Sequence, residues 1–203
     1  SIEWAIRDVN VGDHTAAKAS PVVVPGGDVV VPGDSGTVYR VTPDGEIVWT
    51  ASVEETARGI HGTPAVANGA VYIGAYDGAM YAFDLDSGER FWRQALGDAI
   101  GSSPGSHDGV VYIAVEYIPP DGSVFAVDAG TGDVLATGHE PTDHPHSTIA
   151  IDLDAGKLVV GSNDGVLYAW EYPSMEPAWT FETRGVGNPD RYQAIKGPIA
   201  TYD

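Results

Sequence analysis

A spacing of about 43 residues recurs along this chain, and few architectures accept it. Tryptophans fall at Trp4, Trp49, Trp92 and Trp179, the last interval being close to two periods with its midpoint at Ala136. The aromatics Tyr39, Tyr81, Phe125 and Tyr168 lie 42, 44 and 43 residues apart, and Gly36, Gly78, Gly122 and Gly165 keep the same register. Pro21, Pro64, Pro104 and Thr148 open the units, and Pro198 opens another. Independent markers agreeing on one period identify a repeat protein.

Each unit reads as four short strands. A short apolar run (PVVV, PAVA, STIAI) leads through a turn to a β-branched run (VVVPG, AVYIGA, VVYIAV, LVVGS). An Asp-Gly or Ser-Gly turn then leads to a third run (TVYRV, AMYAFD, SVFAVD, VLYAW), and a fourth ends near the tryptophan. The Asp-Gly pairs are tight-hairpin signals, since glycine supplies the positive φ such turns need. Helical periodicity is nowhere sustained; residues 52–58 are the best candidate for a single turn. Four strands meandering through hairpins in each ~43-residue unit predict an all-β fold, a β-propeller of four-stranded antiparallel blades. The expected organisation is one propeller domain, or a segment of one, over residues 1–203, with repeats at about 18–50, 61–93, 101–137 and 145–180. Residues 1–7 read as the last strand of a preceding blade and 196–203 as the start of a following one. Such a chain is expected to be part of a longer seven- or eight-bladed propeller, with an arc completed by another copy as the alternative. Open blade edges invite self-association.

The segment AFDLDSGERFW, Ala82 to Trp92, resembles the tryptophan-docking motif of pyrroloquinoline-quinone-type propeller repeats: Ala82, Asp84, Gly88 and Trp92 match, with Ser87 in the place of threonine. The third unit keeps Ala126, Asp128, Thr131 and Gly132 but has Ala136 in the tryptophan place. The first keeps Gly45 and Trp49, and the fourth keeps Ala169 and Trp179 with Met175 in the glycine place. The resemblance implies that Trp4, Trp49, Trp92 and Trp179 pack between blades over glycine-bearing turns such as those of Gly45, Gly88 and Gly132. The family includes quinone-dependent alcohol and glucose dehydrogenases, an outer-membrane assembly lipoprotein and exported binding proteins. Its dehydrogenases place the quinone over a tryptophan floor with calcium held by Glu, Asn and Asp, several with a vicinal disulfide. This chain has no cysteine, and its tryptophans fall at docking positions or, for Trp170, just after a motif alanine. No local equivalent of the calcium and catalytic set is apparent, so the expectation is a protein without catalytic residues and without cofactor. Pyrroloquinoline quinone and calcium are the cofactors of the alternative.

Charge restricts the partners. Ten basic residues against 29 acidic ones give a formal net charge of −19, and three of the ten are lysines: Lys18, Lys157 and Lys196. Such a surface repels phosphate backbones and anionic lipid, which excludes nucleic acid. An acidic, lysine-poor composition resembles proteins of salt-loving organisms, the alternative being an ordinary acidic protein. No apolar run approaches the ~20 residues of a membrane-spanning helix.

Several clusters compete as sites. Asp84, Asp86 and Gly88, and again Asp152, Asp154 and Gly156, have a calcium-loop spacing, but neither continues to the further ligands that calcium needs. They read as turns in which Asp caps its own backbone. In GHEPTDHPHS, which carries His139, His144 and His146, the His-x-His pair His144 and His146 shares one strand face. It is a candidate for zinc or copper, the alternative being a solvated loop. Just ahead of each first strand, where a propeller meets its central channel, the alignment gathers Lys18, His61, Ser102, His146 and Lys196. Against an acidic body this ring suits an anionic ligand or a partner's carboxylate; the alternative is a lining for water and ions. Arg184, Asp190, Arg191 and Tyr192, in the long link 182–196, and Pro119 and Pro120, in YIPPDGS, mark protruding loops.

The function expected is a non-enzymatic scaffold that binds protein or a small anionic ligand, in the cell envelope or outside the cell of a salt-loving organism. The alternatives are a fragment of a quinone-dependent alcohol or sugar dehydrogenase and an extracytoplasmic sensor domain.

Overall fold

The computed structural model describes residues 18–54, 58–183 and 194–200. Trp4, Arg184, Asp190, Arg191 and Tyr192, residues 55–57 of the candidate turn 52–58, and the terminal stretches 1–7 and 201–203 lie outside the described residues. Sixteen strands form four antiparallel sheets, each in chain order. The first holds β1 (Val22–Val23), β2 (Val29–Pro32), β3 (Thr37–Val41) and β4 (Ile47–Ser52). The second holds β5 (Ala65–Ala67), β6 (Ala70–Gly74), β7 (Ala79–Asp84) and β8 (Arg90–Ala95). The third holds β9 (Gly105–His107), β10 (Val110–Tyr117), β11 (Asp121–Asp128) and β12 (Val134–Gly138). The fourth holds β13 (Ala150–Asp152), β14 (Lys157–Gly161), β15 (Val166–Glu171) and β16 (Pro177–Glu182). These are the four blades read from the repeat, and no helix occurs among the described residues.

The core lies between the sheets, in three layers. Successive side chains of a strand point to opposite faces, so β6 sends Val71 and Ile73 toward the first sheet and Ala70 and Tyr72 toward the third. With both faces covered, the middle strands read as unbroken apolar runs. In β10 the face toward the second sheet carries Val111, Ile113 and Val115, and the opposite face carries Tyr112 and Ala114.

Each fourth strand is bulged against its third at one point of the repeat, opposite Arg40/Val41, Ala82/Phe83, Ala126/Val127 and Ala169/Trp170. The residue just before the bulge pairs with the tryptophan position, in Arg40↔Trp49, Ala82↔Trp92, Ala126↔Ala136 and Ala169↔Trp179. A bulge re-aims the bulged strand, and the indoles leave their own sheets for the next. Trp49 Nε1 donates to the Leu85 carbonyl at 2.9 Å, and Trp92 Nε1 to the Ala129 carbonyl at 3.1 Å. Each ring lies flat against a glycine. A Cβ on Gly88 would meet Trp49 Cδ2 at 2.7 Å, and one on Gly132 would meet Trp92 Cδ2 at 2.8 Å. Gly88 also holds a φ of 74°, so the position excludes a side chain twice over. Gly45, also at positive φ, would receive Trp4, which is outside the described residues. Trp179 is 43% exposed, against 8% for Trp49.

The turn acids have turn chemistry. Asp84 Oδ1 accepts from the amides of Asp86 and Ser87 and from Ser87 Oγ, at 3.0, 2.7 and 2.8 Å. The Ser87 bonds foremost hold the Asp84 carboxyl below its usual range. Asp128 accepts from Gly130 and Thr131 in the same way, and Asp152 from Ala155.

The register corrects one alignment. Val22, Ala65, Gly105 and Ala150 pair with Val30, Tyr72, Tyr112 and Val159, which are equivalent positions. Ile149, rather than Thr148, therefore takes the place of Pro21, Pro64 and Pro104. A Thr-Ile pair had stood in for Ser-Pro, and alignment on the first apolar-adjacent residue slipped by one.

Candidate functional site

With the register corrected, the residues three places before each strand-opening position are Lys18, His61, Gly101 and His146. Lys196 joins them because the Ile195 amide donates to the Ser162 carbonyl as the Ile100 amide does to Ala75. Four of the five predicted mouth residues, Lys18, His61, His146 and Lys196, line a single cavity of about 760 Å³. Ser102 does not line it. Its side chain is fully buried, donating from Oγ to the Ala114 carbonyl at 2.7 Å and accepting from the Ala114 amide at 3.2 Å. Ser147, its equivalent, does the same for the Gly161 amide at 2.7 Å. These serines pin the entry segments to the second strands, and the one-residue slip had confused them with the lining.

The lining also holds a ring of hydroxyls that sequence reasoning missed: Ser20, Thr63, Ser103 and Thr148. The Ser20 amide donates to Thr63 Oγ1 at 3.0 Å, and the Thr63 amide to Ser103 Oγ at 2.9 Å. A hydroxyl that accepts in this way keeps its own proton to donate, here toward the cavity. The signal was available as a Ser or Thr just before the strand-opening residue of each of the four units, Pro21, Pro64, Pro104 and Ile149.

Behind the ring stands a second tier, at the end of each second strand: Asp34, Tyr76, Glu116 and Asn163. His61 Nε2 lies 2.9 Å from Asp34 Oδ1 and 3.5 Å from Lys18 Nζ, and its ring rests on Tyr76 with centroids 4.2 Å apart. Burial first, then Lys18, lowers the affinity of His61 for a proton despite Asp34. Burial, then the Glu116 charge, pushes the Tyr76 hydroxyl up to about 12. The Arg58 guanidinium sits 5.5 Å from the centre of the Tyr76 ring and lines the same cavity.

Glu116 is the group the sequence concealed. It is buried at the end of an otherwise apolar strand, with Oε1 accepting from the Gly101 amide at 3.0 Å. His144 Nδ1 is 3.4 Å from its Oε2 and His146 Nδ1 is 3.3 Å from its Oε1. The His-x-His pair thus converges on a carboxylate from the neighbouring blade. Burial raises the Glu116 carboxyl and pushes His146 down to about 4. His139 is elsewhere, its Nδ1 2.6 Å from Ser123 Oγ. No described tryptophan lines the cavity. Trp49, Trp92 and Trp170 belong to the layers between sheets, so among the described residues no tryptophan offers the floor that the resemblance implied for a quinone.

A family model described as outer membrane protein assembly factor BamB matches residues 4–136. The outer membrane protein assembly factor BamB of Moranella endobia is 30% identical over 151 residues, covering 70% of this chain and 37% of its own length. The 1-butanol dehydrogenase (cytochrome c) of Thauera butanivorans is 29% identical over 151 residues, covering 64% of this chain and 21% of its own. The chain therefore spans well under half the length of these curated relatives. Among solved structures, a europium-containing methanol dehydrogenase superposes with a TM-score of 0.70 at 15% identity, over 80% of this chain and 41% of that one. A quinohemoprotein alcohol dehydrogenase from Pseudomonas putida gives 0.66 at 20% identity, over 82% and 34%. At these identities the superpositions speak for the fold.

Proposed function

The chain belongs to the family described as outer membrane protein assembly factor BamB, and from that membership we propose that it is a binding scaffold rather than an enzyme, with a cavity that takes an anion. The ligand class is a small dicarboxylate, or an acidic side chain presented by a partner protein. One observation carries this reading. In a chain of formal charge −19, Lys18, Arg58 and Lys196 all line one cavity, together with four hydroxyls. Such a concentration of donors in an acidic body focuses the field on an incoming anion. The names of the relatives support a setting in the cell envelope, with protein as the larger partner. The acidic composition supports an organism that lives in salt.

The 1-butanol dehydrogenase among the relatives gives a second reading, a fragment of a quinone-dependent dehydrogenase. Isothermal titration with succinate, with phosphate and with pyrroloquinoline quinone plus calcium separates the two. The scaffold reading expects heat with succinate that is lost in Lys18→Ala/Lys196→Ala. Heat with the quinone and reduction of a dye by alcohols would favour the enzyme, and silence from all three ligands would sink the anion site.

A further inference from the structure

We propose that Glu116, His144 and His146 form a binding site for a borderline divalent transition metal, Zn²⁺ foremost, with its exchangeable position facing the cavity that His146 lines. The site shares His146 and the cavity with the anion reading but uses none of its cationic residues, Lys18, Arg58 and Lys196.

Donor spacing is the first argument. One ligand atom from each of the three residues can be chosen so that all lie within 4.8 Å of one another. The carboxylate-to-imidazole separations are 3.3 Å from Oε1 to His146 Nδ1 and 3.4 Å from Oε2 to His144 Nδ1, so each oxygen faces one imidazole. Around a tetrahedral Zn²⁺ with bonds of ~2.0–2.1 Å, neighbouring donors stand about 3.3–3.4 Å apart. A two-histidine, one-carboxylate set with an open fourth position is a standard arrangement for this metal.

Tautomer chemistry is the second. His144 Nε2 lies 3.1 Å from the Tyr117 carbonyl, which can only accept. Nε2 therefore carries the proton, and in the neutral ring Nδ1 presents a lone pair to Glu116 Oε2. Two acceptors facing each other at 3.4 Å need a proton or a metal ion between them. A histidine whose far nitrogen is fixed by a backbone carbonyl is the usual outer support of a metal ligand.

Space is the third. A Cβ on Gly101 would lie 2.6 Å from Glu116 Oε1, 2.7 Å from His146 Nδ1 and 2.8 Å from the Tyr76 hydroxyl. Glycine thus lets these three polar atoms close in on the backbone at 101, where any side chain would drive them apart. His146 and Gly101 also line the cavity, giving the ion a route in.

The test is a titration of the 203-residue chain with Co²⁺, whose tetrahedral complexes have intense visible bands. One equivalent should develop such bands and Zn²⁺ should abolish them. His144→Ala, on the partly exposed ligand, and Glu116→Gln, which keeps the shape of the buried one, should each weaken binding by more than the ~10–100-fold typical of losing an outer partner. Lys18→Ala/Lys196→Ala should leave the bands intact while it removes succinate binding, so the two proposals fail independently. Thermal unfolding of each variant without metal checks folding. Absence of the bands in the parent chain, or bands of equal strength and affinity in folded His144→Ala and Glu116→Gln, overturns the site.

Discussion

His61 is held between opposites, with Asp34 on one side and Lys18 and Arg58 on the other, and burial decides in favour of the neutral ring. Its proton affinity in the folded chain is below the ordinary one, so on acidification the unfolded chain takes up the proton first. The stabilisation is full above the ordinary imidazole range, about pH 6.5, and is lost progressively as pH falls below it. His61→Gln should therefore lower stability at pH 7, because Asp34 loses its partner, yet flatten the further loss between pH 7 and 5.5. Urea unfolding midpoints at the two values read the difference; equal acid sensitivity in both proteins would contradict it. At this scale the sequence was partly legible. Lys18, His61, His146 and Lys196 came out by counting back from the strand openings, because a propeller puts repeat-equivalent residues at equivalent radii. Ser102 was misassigned, since one residue of slip exchanges a lining side chain for a buried one. Glu116 could not be reached by counting. A carboxylate at the end of VVYIAVEY looks like the onset of a loop until the neighbouring blade brings two histidines against it.

Among elements, the instructive boundary is the one between the third and fourth sheets. The repeat departs from its motif twice, with Ala136 for tryptophan and Met175 for glycine, and the sequence gives no reason for either. Both fall in one hydrophobic layer. The tryptophan of one blade normally lies on the glycine of the next, so a missing indole and an added thioether chain compensate each other. Met175 is 4% exposed and accepts a φ of 62° to fill the space, and Trp170, fully buried in the same layer, lies beneath Gly138. Methionine, unbranched and flexible, suits such a gap. A double-mutant cycle should register the exchange. Met175→Gly alone should cost about 2–5 kcal/mol through the cavity, and Ala136→Trp alone about 1–3 kcal/mol through overpacking. The double variant should recover a coupling of about 0.5–3 kcal/mol, measured by chemical denaturation. Strict additivity would mean that the two residues do not share the space. The middle strands were readable because a strand buried on both faces has few polar positions to interrupt it, Arg40 in β3 and Glu116 in β10 being two.

For the whole molecule, a formal charge of −19 over 203 residues means that folding concentrates like charges that the unfolded chain spreads out. Raising ionic strength shortens the screening length from ~30 Å at 0.01 M to ~3 Å at 1 M. The thermal midpoint should therefore rise with KCl over that range, and a flat or falling profile would show that self-repulsion is not what limits stability. The blade count and order were legible because the repeat is regular. The layers between blades were legible only where the docking motif is intact, since complementary departures are understood from contacts across the sequence. That same regularity leaves the indoles in unlike surroundings. Trp170 is sealed, Trp49 nearly so, and Trp179 stands open on the outer strand of the fourth sheet. Trp179 is thus a built-in optical probe. An aqueous quencher such as iodide reaches its emission before that of the sealed rings, and any partner that covers the fourth sheet announces itself by shielding it.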